Sequence, residues 1–309
     1  MVNPDVFLTQ EDVPLLVQAL NSFALEANTV DDRQNTLINA GVHQALRSKL
    51  HLGVGSQIFA NKLAACCREY RVSRYQPGYH PLINLLEYLL QIYELEDQDR
   101  TLFKRLTKQG RNNLDMLAVR STIGRIESPL GIAVGTGVLV SKNCLLTCHH
   151  VFERGQKQAW VRFGYKAGRY GIEAGELFQL DTKEIVHSIV PSEQTLDYEL
   201  VRIIGEPELL PAMLSHTIPY PTQNIHLIHH PRGEPVQISE VGQLVLVDPT
   251  FIHHNIEADH GSSGAPIFDV DWHVIALHRG RLSLSRPTPP GITEGIPISR
   301  IWKEIAPHL

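Results

Sequence analysis

The segment Gly261-Ser262-Ser263-Gly264-Ala265-Pro266 is the part of this chain best suited to covalent chemistry. A serine between glycines, with Pro close behind, can be presented on a sharp turn whose backbone N–H groups face a reacting carbonyl. A serine hydroxyl is a poor nucleophile at neutral pH. It needs a base within hydrogen-bond reach, and that base needs an orienting carboxylate.

Two other segments offer those partners. In Gly135-Thr-Gly-Val-Leu-Val-Ser-Lys-Asn-Cys-Leu-Leu-Thr-Cys-His-His-Val, two strands joined by a turn bring His149 and His150 to a strand end. In Leu196-Asp197-Tyr-Glu-Leu-Val-Arg-Ile, an Asp enters an apolar strand. Asp181 is the rival acid, but Thr182, Lys183 and Glu184 follow it, so it reads as a turn residue. The order along the chain is His, Asp, Ser.

The elements that must hold these groups fall into two halves. Residues 1–112 have helical periodicity. Thr9 reads as an N-cap, and Val13, Leu16, Leu20 and Phe23 recur on one face. Further helices are expected over about 31–40 (closed by Gly41), 42–50, 56–70 and 80–93, and a last one over 97–108 closed by Gly110. From about Leu117, short β-branched runs alternate with Gly, Pro, Asn and Asp turns, with no helix until Ile298–Glu304. The boundary is expected near 110–117, giving a helical domain over 1–112 and a β domain over 113–309. The fold class is α+β multidomain, an all-α bundle followed by an all-β barrel or sandwich unit.

Composition narrows the function classes. The chain has 309 residues, 43% of them hydrophobic and 20% charged, as expected for a globular protein with real cores. A net charge of −5 disfavours nucleic acid as the main partner. No apolar run reaches the roughly 18 residues a membrane span needs, and the N-terminus lacks the basic and apolar regions of a secretory signal. Cys66, Cys67, Cys144 and Cys148 form no CxxC pair, so they read as reduced thiols of a cytoplasmic protein. His229-His230 and His253-His254 have no zinc-type spacing. No metal and no cofactor are expected.

The three motifs, in this order, resemble the trypsin-like (chymotrypsin-fold) serine peptidases, in particular the bacterial branch that includes glutamyl endopeptidases and stress proteases. The resemblance implies a double β-barrel over 113–309. Gly-Thr-Gly followed by Leu-Thr-x-x-His maps onto Gly135–Gly137 and Leu146–His150, making His150 the base. The family's Asp maps onto Asp197, and its Gly-x-Ser-Gly-x-Pro makes Ser263 the nucleophile. The amides of Gly261 and Ser263 would form the oxyanion hole. The resemblance thus implies a serine endopeptidase acting on a protein substrate. The alternative is a catalytically weak peptide-binding module.

Departures from the family carry information. Ser262 stands where the animal digestive members have the Asp that receives a freed N-terminus, so activation by clipping is not expected. No Cys follows His150, which removes the family disulfide there. In the specificity pocket the resemblance places Glu257, His278 and Arg279: an acid would favour Lys or Arg, a His would read an acidic side chain, and a buried acid and base would cancel. These alternatives stay open. The helical half resembles the effector-associated, death-like adaptor domains of bacterial conflict systems, through Leu37–Gly41, Asn61–Leu63 and Leu82–Tyr93. That implies contacts with a matching domain on another protein, and recruitment or activation of the peptidase in a bacterial defence or signalling system.

Overall fold

A computed structural model of the chain describes residues 5–27, 29–73, 76–152, 158–189, 196–280 and 291–309. The first residues of the N-terminal reading, 1–4, lie outside them. The chain divides into two compact units between Ala118 and Val119.

The first unit is a bundle of α1 (Asp12–Glu26), α2 (Val30–Asn39), α3 (Gln44–Arg47), α4 (Ser56–Glu69), α5 (Pro81–Ile92) and α6 (Asp97–Ser121). Thr9 accepts the Asp12 N–H at 3.2 Å, as an N-terminal cap does. The core joins Leu16, Leu20 and Phe23 of α1 to Leu37, Leu63, Leu86 and Phe103. Burial of several such side chains, each contributing about 1.5–3 kcal/mol, is what offsets the cost of ordering these helices. One expectation needs correction: α6 does not end at Gly110 but runs on to Ser121. Gly110 is buried, and a Cβ there would lie 1.9 Å from Ile83 Cδ1. Its role is close approach of α6 to α5, and Leu114 and Leu117 carry the apolar face onward.

The second unit holds two barrels. The first closes in the order β1 (Ile123–Glu127), β2 (Ala133–Leu139), β3 (Cys144–Thr147), β8 (Tyr198–Ile204), β7 (Glu176–Ile189) and β4 (Ala159–Phe163). β5 (Lys166–Gly168) and β6 (Gly171–Glu173) form a separate ribbon. The second barrel runs β9 (Asn224–His229), β11 (Gly242–Val247), β12 (Ile252–His254), β15 (Thr293–Pro297), β14 (Val274–Gly280) and β13 (Pro266–Phe268). It closes because β13 also pairs with β9, placing Ile267 opposite Leu227. β10 (Gln237–Ile238) adds to β9, and α7 (Ile298–Ile305) follows β15. Two closed barrels in succession are the chymotrypsin-type double barrel. Asp181 corrects a second expectation: it lies within β7, where the register against β8 shifts between Leu180 and Ile185, rather than in a turn.

Candidate active site

Gly135-Thr136-Gly137 of β2 and the turn at 261–264 are built for each other. The Thr136 N–H donates to Ser263 O at 2.9 Å. The Thr136 hydroxyl donates to Gly261 O at 2.7 Å and accepts the His230 N–H at 3.1 Å. Thr147 Oγ1 donates to Thr136 O at 2.7 Å. Glycine is required around this clasp. A Cβ on Gly135 would lie 2.7 Å from Val151 Cγ2, and one on Gly264 (φ +82°) 2.0 Å from Thr147 Oγ1.

The clasp turns the two serines opposite ways. Ser262 is fully buried. Its hydroxyl lies 2.8 Å from His229 Nδ1 and accepts the Asp259 N–H at 3.3 Å. Ser263 is half-buried and lines a cleft of about 1180 Å³, with His150 on the same cleft. His260 O accepts the Arg232 N–H at 2.5 Å. A planar trans peptide sets C=O and N–H on opposite sides, so this bond fixes the Gly261 N–H away from Arg232. Among the described residues neither the Gly261 nor the Ser263 N–H has a protein partner. Two unengaged donors beside a serine are what an oxyanion site requires.

His150 sits in the short turn His149–Val151 after β3. Its Nδ1–H donates to Asp197 Oδ2 at 2.5 Å, and its backbone N–H to Oδ1 at 3.1 Å. An ionised carboxylate only accepts, so Nδ1 of His150 carries a proton. Asp197 is completely buried at the entry to β8. Burial pushes its carboxyl up, but hydrogen bonds and charge from His150, with Arg279 nearby, prevail and hold it below the ordinary value. His149, the neighbour, instead pairs with Glu199 at 2.7 Å.

The sequence-predicted pocket residues part company. Glu257, His278 and Arg279 all line the cleft. Glu257 is exposed, whereas His278 is only 3% exposed. His278 Nδ1 lies 3.1 Å from His254 Nε2, which meets Thr293 Oγ1 at 3.1 Å. Burial keeps the His278 ring well below the ordinary His value, and neighbouring imidazoles push the same way. The buried acid beside Arg279 is Glu294, 3.6 Å away, which sequence reasoning missed. Also missed were the Ser262–His229 contact and the Thr136 clasp. The Gly-Thr-Gly motif marked the strand, but no local signal gives its partners across the barrels.

Two barrels, with Ser263 and His150 on one cleft and buried Asp197 bonded to His150 behind it, are the arrangement of a trypsin-like peptidase unit. Residues 135–277 match the trypsin-like peptidase domain, and residues 10–118 match effector-associated domain 8. The β unit thus matches a trypsin-like peptidase domain, and the helical unit before it an effector-associated domain. The glutamyl endopeptidases of Staphylococcus aureus strains MW2 and MRSA252 are 25% and 24% identical to it over 167 residues. The aligned region is 50% of this chain and 49% and 45% of those proteins, so the chain spans about half the length of the curated relatives it matches. The solved inactive form of the Rv3671c protease is 16% identical with a TM-score of 0.46, covering 63% of this chain and 93% of that one.

Proposed function

We propose that the chain is a serine endopeptidase. His150 Nε2 takes the proton from Ser263 Oγ as Oγ attacks a peptide carbonyl. Asp197 orients His150 and stabilises the imidazolium that forms. The Gly261 and Ser263 N–H groups hold the oxyanion. His150 then passes the proton to the leaving amine, and water repeats the cycle on the acyl-enzyme. The observation that carries this reading is that His150, doubly anchored by buried Asp197, lines the same cleft as Ser263, beside two unengaged N–H donors.

The floor of the cleft supports a preference for an acidic side chain before the cut bond. Buried His278, backed by His254 and Thr293, lies there, while Glu257 stays in solvent at the wall. The names of the matched relatives agree with that preference. The effector-associated domain supports recruitment, or activation by proximity, through a partner with a matching helical domain in a bacterial defence or signalling assembly. Four free cysteines, three of them buried, and no described helix long and apolar enough to cross a membrane agree with a cytoplasmic setting. Incubating the full chain with a proteome-derived peptide library tests the function. Cleavage after Glu, lost in Ser263→Ala, is expected. Equal cleavage by both proteins would refute it, and cleavage after Lys or Arg would refute the acidic preference.

A further inference from the structure

β14 and β15 pair regularly through Leu277 opposite Ile296 and His278 opposite Gly295, and then Gly280 stands opposite Glu294. Arg279 is therefore the extra residue of a β-bulge. Neighbours on a regular strand face opposite sides of the sheet. A bulge breaks that alternation and re-aims a side chain, and here both His278 and Arg279 are buried.

Arg279, only 6% exposed, lies over the Phe251 ring with 4.6 Å from its guanidinium carbon to the ring centre. Its Nε is 3.5 Å from Asp197 Oδ2, and its NH1 is 3.6 Å from Glu294 Oε2. Arg279 Nε and Glu294 Oε2 have no hydrogen-bond partner among the described residues. Arg279 thus acts on Asp197 and Glu294 through charge at close range rather than through fixed hydrogen bonds. A buried charge without a counter-charge is strongly unfavourable. Arg279 alone beside Asp197 would draw the carboxylate's field away from His150. With Glu294 present, the added charges cancel, and the Asp197–His150 pair keeps one net negative charge.

We propose that Arg279 and Glu294 are a matched pair of positioning residues that tune the His150 base through Asp197, with Glu294 cancelling the charge that the bulge brings in on Arg279. The proposal rests on the reading of His150 as the base. The groups facing His150 from the elements around it are Asp197 before β8, Cys148 at the end of β3, and His278 and Arg279 on β14, with Glu294 of β15 behind Arg279. His149 and Glu199 pair beside it. Burial keeps Cys148 a thiol and His278 neutral. Asp197, Arg279 and Glu294 are thus the fixed charges of this set outside the His149–Glu199 pair.

The test uses the full chain with a Ser263→Ala background, labelled in its histidines. The His150 ring is titrated by NMR, its signal assigned by its loss in His150→Ala. Glu294→Gln leaves Arg279 uncompensated and is expected to move the His150 titration to lower pH by about one unit. Arg279→Met leaves Glu294 uncompensated and is expected to move it upward by about as much. The double variant and Arg279→Lys return to the parent value. In the Ser263 protein the acid limb of kcat/KM should follow the same signs. A merely structural pair would give shifts of one sign or none, and a Glu294→Gln titration that stays put or moves upward overturns the proposal. Should Arg279→Met fail to fold, Glu294→Gln and the double variant still decide it. The titration needs no turnover, so an inactive wild type would refute the proposed function while leaving this inference to be judged on its own result.

Discussion

Ser262 and His229 meet inside the wall of the cleft, with Ser262 Oγ 2.8 Å from His229 Nδ1. Ser262 thereby becomes part of the frame that holds the turn, and Ser263 is the serine left facing the cleft. Ser262→Ala is expected to leave His229 Nδ1 without its partner and to cost about 1–3 kcal/mol of stability. Reaction at Ser263 is retained. Chemical denaturation alongside active-site labelling separates the two effects. Loss of labelling with unchanged stability would contradict this division of roles.

Thr136 bridges the two barrels by holding Gly261 O and the His230 N–H with one hydroxyl. Thr136→Val removes both bonds and keeps the backbone bond to Ser263 O. The expected result is a fall in kcat on the order of tenfold or more with KM little changed, because donors aimed at the oxyanion lose their alignment. Steady-state kinetics on a peptide substrate provides the check.

Gly264 leaves no room for a side chain. Gly264→Ala would place a methyl carbon 2.0 Å from Thr147 Oγ1 at a φ of +82°. We expect a loss of at least about 3 kcal/mol, or failure to fold. A variant with wild-type stability in urea would contradict the described turn.

Acid should weaken the fold in two windows. Burial lowers the His229, His230 and His254 rings to about 4 from the usual 6.5. The unfolded chain then takes up protons below 6.5 that the folded chain refuses until about 4. The stability these rings confer is complete above 6.5 and is lost as pH falls toward 4. Glu127 acts lower down. Burial raises its carboxyl, but Arg162 and Arg125 prevail and bring it to about 2. Its contribution is complete above the usual 4.5 and disappears as pH falls through 2. The urea midpoint should therefore fall steadily from pH 6.5 to 4 and further below 4.5. A flat midpoint between pH 7.5 and 5 would contradict the first window.

The parts of the site legible in the sequence are those that local chemistry dictates. A Gly-flanked serine, a His at a strand end and an Asp entering an apolar strand each leave a short-range mark, and the fold puts Ser263 and His150 on one cleft with Asp197 bonded to His150. What escaped depends on pairing across strands. The bulge at Arg279 arises from the register of β14 against β15, so the approach of Arg279 to Asp197 and Glu294 has no mark in any short window. Asp181 misled because it sits where the β7 register shifts between Leu180 and Ile185, and an irregular stretch of strand reads like a turn in sequence. Gly110 misled because a glycine that lets two helices touch looks the same in sequence as one that ends a helix.

The central claim, that Ser263 is the nucleophile, is tested most directly by fluorophosphonate labelling of the full chain followed by intact mass and peptide mapping. The wild type should gain one adduct on Ser263. Ser262→Ala should still gain it, and Ser263→Ala and His150→Ala should not. A wild type that stays unmodified, or an adduct that persists in Ser263→Ala, would contradict the account.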